Sequence, residues 1–128
     1  MSRPVFDASA ILCILQNERG ADKLTEEIRN SAVASSVNMA EVQGKLVLKG
    51  SDPEIAWEDA LLCVSDVEAL TAEQAKLAGT LVESTAPNGL SLGDRSCLAL
   101  AFALGGEVYT ADKTWRNLKL GITIHVIR

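Results

Sequence analysis

Short apolar runs of strand length alternate along this chain with longer stretches of helical periodicity. Arg3 to Phe6 reads as a strand, and Ser9 to about Arg29 as helix broken near Gly20. Ala32 to Ser35 is a second strand, followed by a helix from Val37 to Lys49 that stops at Gly50-Ser51-Asp52-Pro53. Glu54 to Cys63 is helical, and Val64 to Leu70 is a strand. Thr71-Ala72-Glu73-Gln74 has the form of a capping box and starts a helix reaching about Ser84. Pro87-Asn88-Gly89 is a turn, and Ser91-Leu92-Gly93-Asp94 opens a helix that ends at Gly105-Gly106. Glu107 to Thr110 and Ile122 to Ile127 complete the strands. Strands that alternate with helices imply an α/β fold, with a mostly parallel sheet covered by helices on both faces. Its 128 residues suit one domain, residues 1–128.

The helix from Leu92 to Leu104 is apolar on every side past Ser96, so it should lie buried. Its charge is confined to Asp94 and Arg95 in the first turn, which suggests that this end opens into a site. Hydrophobic residues make up 48% of the chain and aromatic residues only 4%, so the core must be mostly Ala, Leu, Val and Ile. Cys13, Cys63 and Cys97 form no CxxC pair and lie in apolar stretches, which reads as three buried free thiols in a reducing cytoplasm. The longest unbroken apolar run, Cys97 to Leu104, is far too short to span a bilayer. No signal peptide is expected, since Asp7 interrupts the first apolar run. The expectation is a soluble protein.

Seventeen acidic against 12 basic residues give a net charge of −5, which by itself argues against nucleic acid as a partner. That objection weakens if the acids surround a cation, because a bound metal reverses the local field. In parallel α/β folds ligands bind beyond the carboxyl ends of the strands. Four acids fall on that edge. Asp7 directly follows the first strand, and Asp112 follows Thr110 after one alanine. Asp94 lies in the first turn of its helix, and Glu41 within about two turns of the second strand. Two like charges about 4 Å apart repel by roughly 4 kcal/mol at an effective dielectric near 20. A hard divalent cation such as Mg²⁺, which takes oxygen ligands, would remove that cost. Ser9 and Thr110 offer hydroxyls beside the acids to orient them. Each acid also has a plainer reading. Asp7 could cap the helix that follows, Asp94 could close a capping box with Ser91, and Asp112 could cap a short helix from Lys113 to Leu118. Glu41 could be a solvated helix residue.

Taken together, four segments resemble the PIN-domain family, and within it the VapC-type toxins. They are Val5-Phe6-Asp7-Ala8-Ser9, Ser35-Ser36-Val37-Asn38-Met39-Ala40-Glu41-Val42, Leu90-Ser91-Leu92-Gly93-Asp94-Arg95 and Tyr109-Thr110-Ala111-Asp112-Lys113. The resemblance implies a sheet of about five parallel strands between helices, Mg²⁺ or Mn²⁺ at the acids, and hydrolysis of RNA to a 5′-phosphate and a 3′-hydroxyl. It also implies a homodimer silenced by a small antitoxin protein. On this reading Asp7, Asp94 and Asp112 hold the metal, and Glu41 completes the cluster or orients the attacking water. Some relatives carry a further acid after the fourth segment. Here that stretch is Thr114-Trp115-Arg116-Asn117, and Asn117 would supply only a neutral oxygen.

Arg95, Lys113 and Arg116 flank the acids and are candidate RNA phosphate contacts. The amphipathic helices Glu54 to Cys63 and Thr71 to Ser84 are candidate pairing surfaces. His125, the only histidine, sits between Ile124 and Val126 in the last strand and reads as structural. The alternatives are a receiver-like phosphoacceptor signalling domain, a non-toxin RNA-processing nuclease of the same family, and a PIN fold kept only to bind a partner. A receiver would need paired acids after the first strand, where Asp7 stands alone. A phosphatase of the haloacid dehalogenase type would need Asp-x-Asp, where this chain has Asp7-Ala8-Ser9.

Overall fold

The computed structural model describes residues 2–128. Its five strands are β1 (Pro4–Phe6), β2 (Val33–Ser35), β3 (Asp66–Glu68), β4 (Glu107–Thr110) and β5 (Ile124–Val126). Their order across the sheet is β3-β2-β1-β4-β5, and every pairing is parallel. Helices α1 (Ala8–Leu15), α2 (Glu26–Arg29), α3 (Ser36–Leu48), α4 (Pro53–Leu61), α5 (Ala72–Thr80), α6 (Val82–Thr85) and α7 (Leu92–Leu104) surround it. Parallel neighbours need crossovers, and helices supply them. The receiver fold runs 2-1-3-4-5, so this order excludes the signalling reading.

Side chains alternate across the sheet and feed two cores. Phe6 and Ala34 join Ile11, Met39 and Val42 under α1 and α3. Val5, Val33 and Val108 join Leu98 and Leu100 of α7 and the indole of Trp115 on the other face. Central β1 is therefore apolar on both faces. Its chain emerges at the carboxyl edge with Asp7 as the first polar residue after Phe6.

Several elements are shorter than predicted, each for a tertiary reason. The first helix stops at Leu15, because the chain turns through Asn17 (φ 49°) and Gly20 (φ 100°). A Cβ on Gly20 would stand 2.5 Å from the Ile127 carbonyl oxygen, so the turn is fixed by contact with the far end of the chain. Only a 3₁₀ turn (Ala21–Lys23) and the single-turn α2 follow. The third strand is trimmed to three residues: Val64 closes the last turn of α4, and the Leu70 N–H is taken by the Ser36 hydroxyl. The helix expected to reach Ser84 is interrupted at Leu81, between α5 and α6. The expected turn at Pro87 forms a 3₁₀ turn, Ala86–Asn88. Helix α7 is buried from Ser96 to Ala101 but not at its ends, where Leu92, Phe102 and Leu104 are exposed.

All three cysteines are free and buried. His125 stacks on Tyr109 with ring centroids 4.5 Å apart and pairs with Glu107 at 2.9 Å, a structural placement. Among the described residues no helix is long and apolar enough to cross a membrane.

Candidate active site

The carboxyl edge of the sheet is built around Asp7. Its backbone is extended and its side chain caps α1, accepting from the Ala10 N–H at 2.8 Å. The same oxygen accepts from the Ser9 hydroxyl at 2.7 Å, and the other oxygen from the Thr110 hydroxyl at 2.5 Å. Thr110 in turn accepts from the Asp112 N–H, and Ser9 from the Ala111 N–H. The β1 and β4 ends are thus laced together, Ser9 and Thr110 lying where the sequence put them. The capping reading of Asp7 is correct, and it is compatible with a site role, because the carboxylate does both from one position.

Asp7 is only 2% exposed. Burial pushes its carboxyl up to about 6, against the opposing pull of its bonds to Thr110, Ser9 and Ala10, and the charge of Asp94 raises it further. Cys97 lies one turn below Asp94 on α7. Its thiol is held well above its ordinary range by burial, then by Asp7, Asp94 and Glu41. Three of the four acids therefore bear on one buried point, and the thiol there stays protonated.

Asp94 also closes the predicted capping box: its carboxylate accepts from the Ser91 N–H at 2.9 Å while the Ser91 hydroxyl accepts from the Asp94 N–H at 3.2 Å. Glu41 reaches from α3 across to α7. A Cβ on Gly93 would collide with the Glu41 carboxylate, which occupies the space a side chain at 93 would fill. Asp112 is turned differently. Its carboxylate caps the 3₁₀ turn Lys113–Asn117, accepting from the Thr114 N–H at 2.9 Å and the Thr114 hydroxyl at 2.7 Å. That turn is anchored by Trp115, which is 1% exposed. Asn117 is exposed at its end.

The basic candidates are placed unevenly. Arg95 donates to the Ala78 carbonyl at 2.8 Å and ties α7 to α5. Arg116 donates to the Arg128 carbonyl. Lys113 is exposed on a shallow groove shared with Ser9, Asp112 and Arg128. Arg128 was not foreseen, because nothing in the sequence locates the chain's last residue beside Asp112. Asn38 was also missed. Its side chain is buried and donates to Glu41 at 2.9 Å and to the Gly93 carbonyl at 3.0 Å. Its place one helical turn before Glu41 was the signal available.

The PIN-domain family model matches residues 5–120. This chain belongs to the PIN-domain family. A search by sequence of curated proteins returned no match. Among solved structures the PIN fold seen here is similar to the DNA-bound VapBC of Salmonella typhimurium, at 18% identity over 100% of both chains and a TM-score of 0.73. VapBC2 of Rickettsia felis, bound to a DNA fragment from its promoter, gives 14% identity over 98% of both chains and a TM-score of 0.73. VapC20 of Mycobacterium tuberculosis, a toxin that cleaves the sarcin-ricin loop, gives 20% identity over 86% of this chain and 90% of that one, with a TM-score of 0.69.

Could these side chains hold a metal? Among the described residues no three His, Cys, Asp or Glu side chains are gathered closely enough to grip an ion as they stand. The donor chemistry nevertheless fits a hard cation. The groups facing the centre are carboxylates, the nearby thiol is protonated, and the buried Oδ1 of Asn38 has no partner among the described residues. Asp112, held by Thr114, is not among the charges that bear on Asp7 or Cys97.

Gly93 gives a direct test of how far Glu41 matters. Replacing glycine inside a helix by alanine normally stabilises by up to about 1 kcal/mol. Gly93→Ala is expected to remain folded with Glu41 displaced by the new methyl group and, on the nuclease reading proposed below, RNA cleavage reduced on the order of 100-fold. A variant that cleaves at the wild-type rate would show that the position of Glu41 is immaterial.

Proposed function

We propose that this protein is a metal-dependent endoribonuclease, the toxin of a toxin-antitoxin pair, acting through Asp7, Glu41, Asp94 and Asp112. The observation that carries this reading is the burial of Asp7 at the end of the central strand, pressed by Asp94 and fixed by Thr110 and Ser9. A buried carboxylate pushed toward neutrality is a costly arrangement for a merely structural residue, and a cation offsets the cost.

Asp7, Asp94 and Asp112 are the residues that would hold Mg²⁺ or Mn²⁺. When bound, such an ion lowers the pKa of water and stabilises charge on a phosphodiester. Ser9 and Thr110 fix the Asp7 oxygens so that no rotamer search precedes binding. Glu41, held by the Asn38 amide, would orient the attacking water. Lys113 would meet RNA phosphates, while Arg128 in the same groove is already paired with Glu18 and the Arg19 carbonyl. Arg95 and Arg116 each commit one N–H to a backbone carbonyl and would contact phosphate only through the remainder.

The likeness to VapBC complexes supports an antitoxin partner, and the family resemblance implies a homodimer. Exposed apolar side chains suit both: Ile55, Leu61 and Leu62 on or beside α4, and Phe102 and Leu104 at the end of α7. Three free thiols and an RNA substrate both fit a cytoplasmic location.

Purified protein should cleave RNA in Mg²⁺ or Mn²⁺, lose all cleavage in excess EDTA, and recover it when the ion is restored, as read on end-labelled RNA. Cleavage that persists in EDTA would refute the metal. Expression should arrest growth, and the small protein encoded next to it should relieve the arrest. Cleavage without growth arrest would favour the RNA-processing branch of the family.

A further inference from the structure

Asn38 is 1% exposed, and its amide donates to two acceptors at once, one on its own helix and one on α7. The orientation is forced. With the amide reversed, its oxygen would face the Glu41 carboxylate and the Gly93 carbonyl with no proton to share. A hydrogen bond to an ionised acceptor is roughly twice as strong as a neutral one. On the far side, Gly93 leaves room for the Glu41 carboxylate where any side chain would collide with it. One group pulls the carboxylate into place and the other leaves it space. Both act one residue before Asp94.

We propose that Asn38 is the positioning residue of the site: it holds the Glu41 carboxylate over Gly93 and thereby fixes Glu41 against Asp94. This rests on the nuclease reading above. Asn38 does not touch the substrate, and its effect reaches the reaction only through Glu41. Its buried and unpartnered Oδ1 remains an acceptor beside the cluster, suited to a water at the metal.

The test compares Asn38→Ala and Asn38→Asp, each alone and combined with Glu41→Gln. Asn38→Asp keeps the volume and removes both donors, so it carries the comparison if Asn38→Ala fails to fold. Mn²⁺ binding is followed by electron paramagnetic resonance. The proximity of Glu41 to Gly93 is followed in metal-free protein by nuclear Overhauser contacts between Glu41 Hγ and Gly93 Hα. Each single variant should weaken Mn²⁺ binding about tenfold, the lower end of what is usual for groups that orient a ligand, and lose the contact. Either should add less than about twofold on top of Glu41→Gln, because the coupled partner is already gone. Equal losses in both backgrounds, or a contact that survives, would overturn the proposal. If wild type neither binds Mn²⁺ nor cuts RNA, the nuclease reading falls, and the Glu41–Gly93 contact alone decides whether Asn38 positions Glu41.

Discussion

Asp7→Asn should leave an intact protein that no longer cuts RNA, with activity down by at least about 10³-fold and metal-free stability equal to or above wild type. The activity loss follows from removing the most buried ionic oxygen of the site. The stability follows from proton linkage. The folded-state carboxyl is raised to about 6, above the ordinary aspartate value of about 3.9. A raised acid contributes stability that is complete below the unfolded value and is lost as pH climbs through the folded one. Metal-free wild type should therefore weaken between about pH 4 and pH 6, by at most about 3 kcal/mol. Asparagine escapes that loss, and it can still accept from Ala10 and Ser9 while donating to Thr110. Chemical denaturation in EDTA at pH 4.5 and pH 7 reads the difference. A variant that is markedly less stable than wild type at pH 7, or that still cleaves, contradicts the account. With Mg²⁺ the order should reverse, since only wild type gains from the ion.

Thr110→Val should be nearly as damaging to activity and, unlike Asp7→Asn, damaging to the fold. Valine matches the shape of threonine but gives up the bond to Asp7 and leaves the Asp112 N–H without its acceptor. An orphaned buried group costs about 1–3 kcal/mol. The bond from Thr110 is also the strongest influence lowering the Asp7 carboxyl, so without it the group is pushed higher. Metal binding requires the ionised form, and the acid limb of the cleavage profile should therefore move to higher pH. Metal affinity should fall about 10- to 100-fold. Thr110→Ser keeps the hydroxyl and should behave as wild type. An unchanged pH profile in Thr110→Val would show that Asp7 is not tuned by its neighbour.

Three of the four candidate acids stand at junctions between elements, and junctions are marked by local signals, whereas Glu41, inside α3, was suggested only by its distance from the second strand and by the resemblance. Asp7 ends an apolar run, Asp94 closes a capping pattern with Ser91, and Asp112 follows a β-like stretch. The strands were found for the same reason, though trimmed. The order of the sheet was not legible, because pairing is a long-range property. Gly20 shows the limit: a break there was expected, but neither the earlier stop at Leu15 nor the approach of Ile127 to Gly20 has a local signal. Gly93 and Asn38 show another. Neither is unusual in its own helix, and each acquires a role only when α3 and α7 meet. The turn of the Asp112 carboxylate toward Thr114 was likewise hidden, although the capping alternative had been visible.

The double duty of Asp7 bears on how such a gene could decay. A copy released from the need to cut RNA would be free to lose Glu41 or the exposed Lys113 with little penalty. Position 7 would still have to cap α1 and tie the hydroxyls of Ser9 and Thr110. Drift there would be confined to short polar residues such as asparagine or serine, long after catalysis had been abandoned.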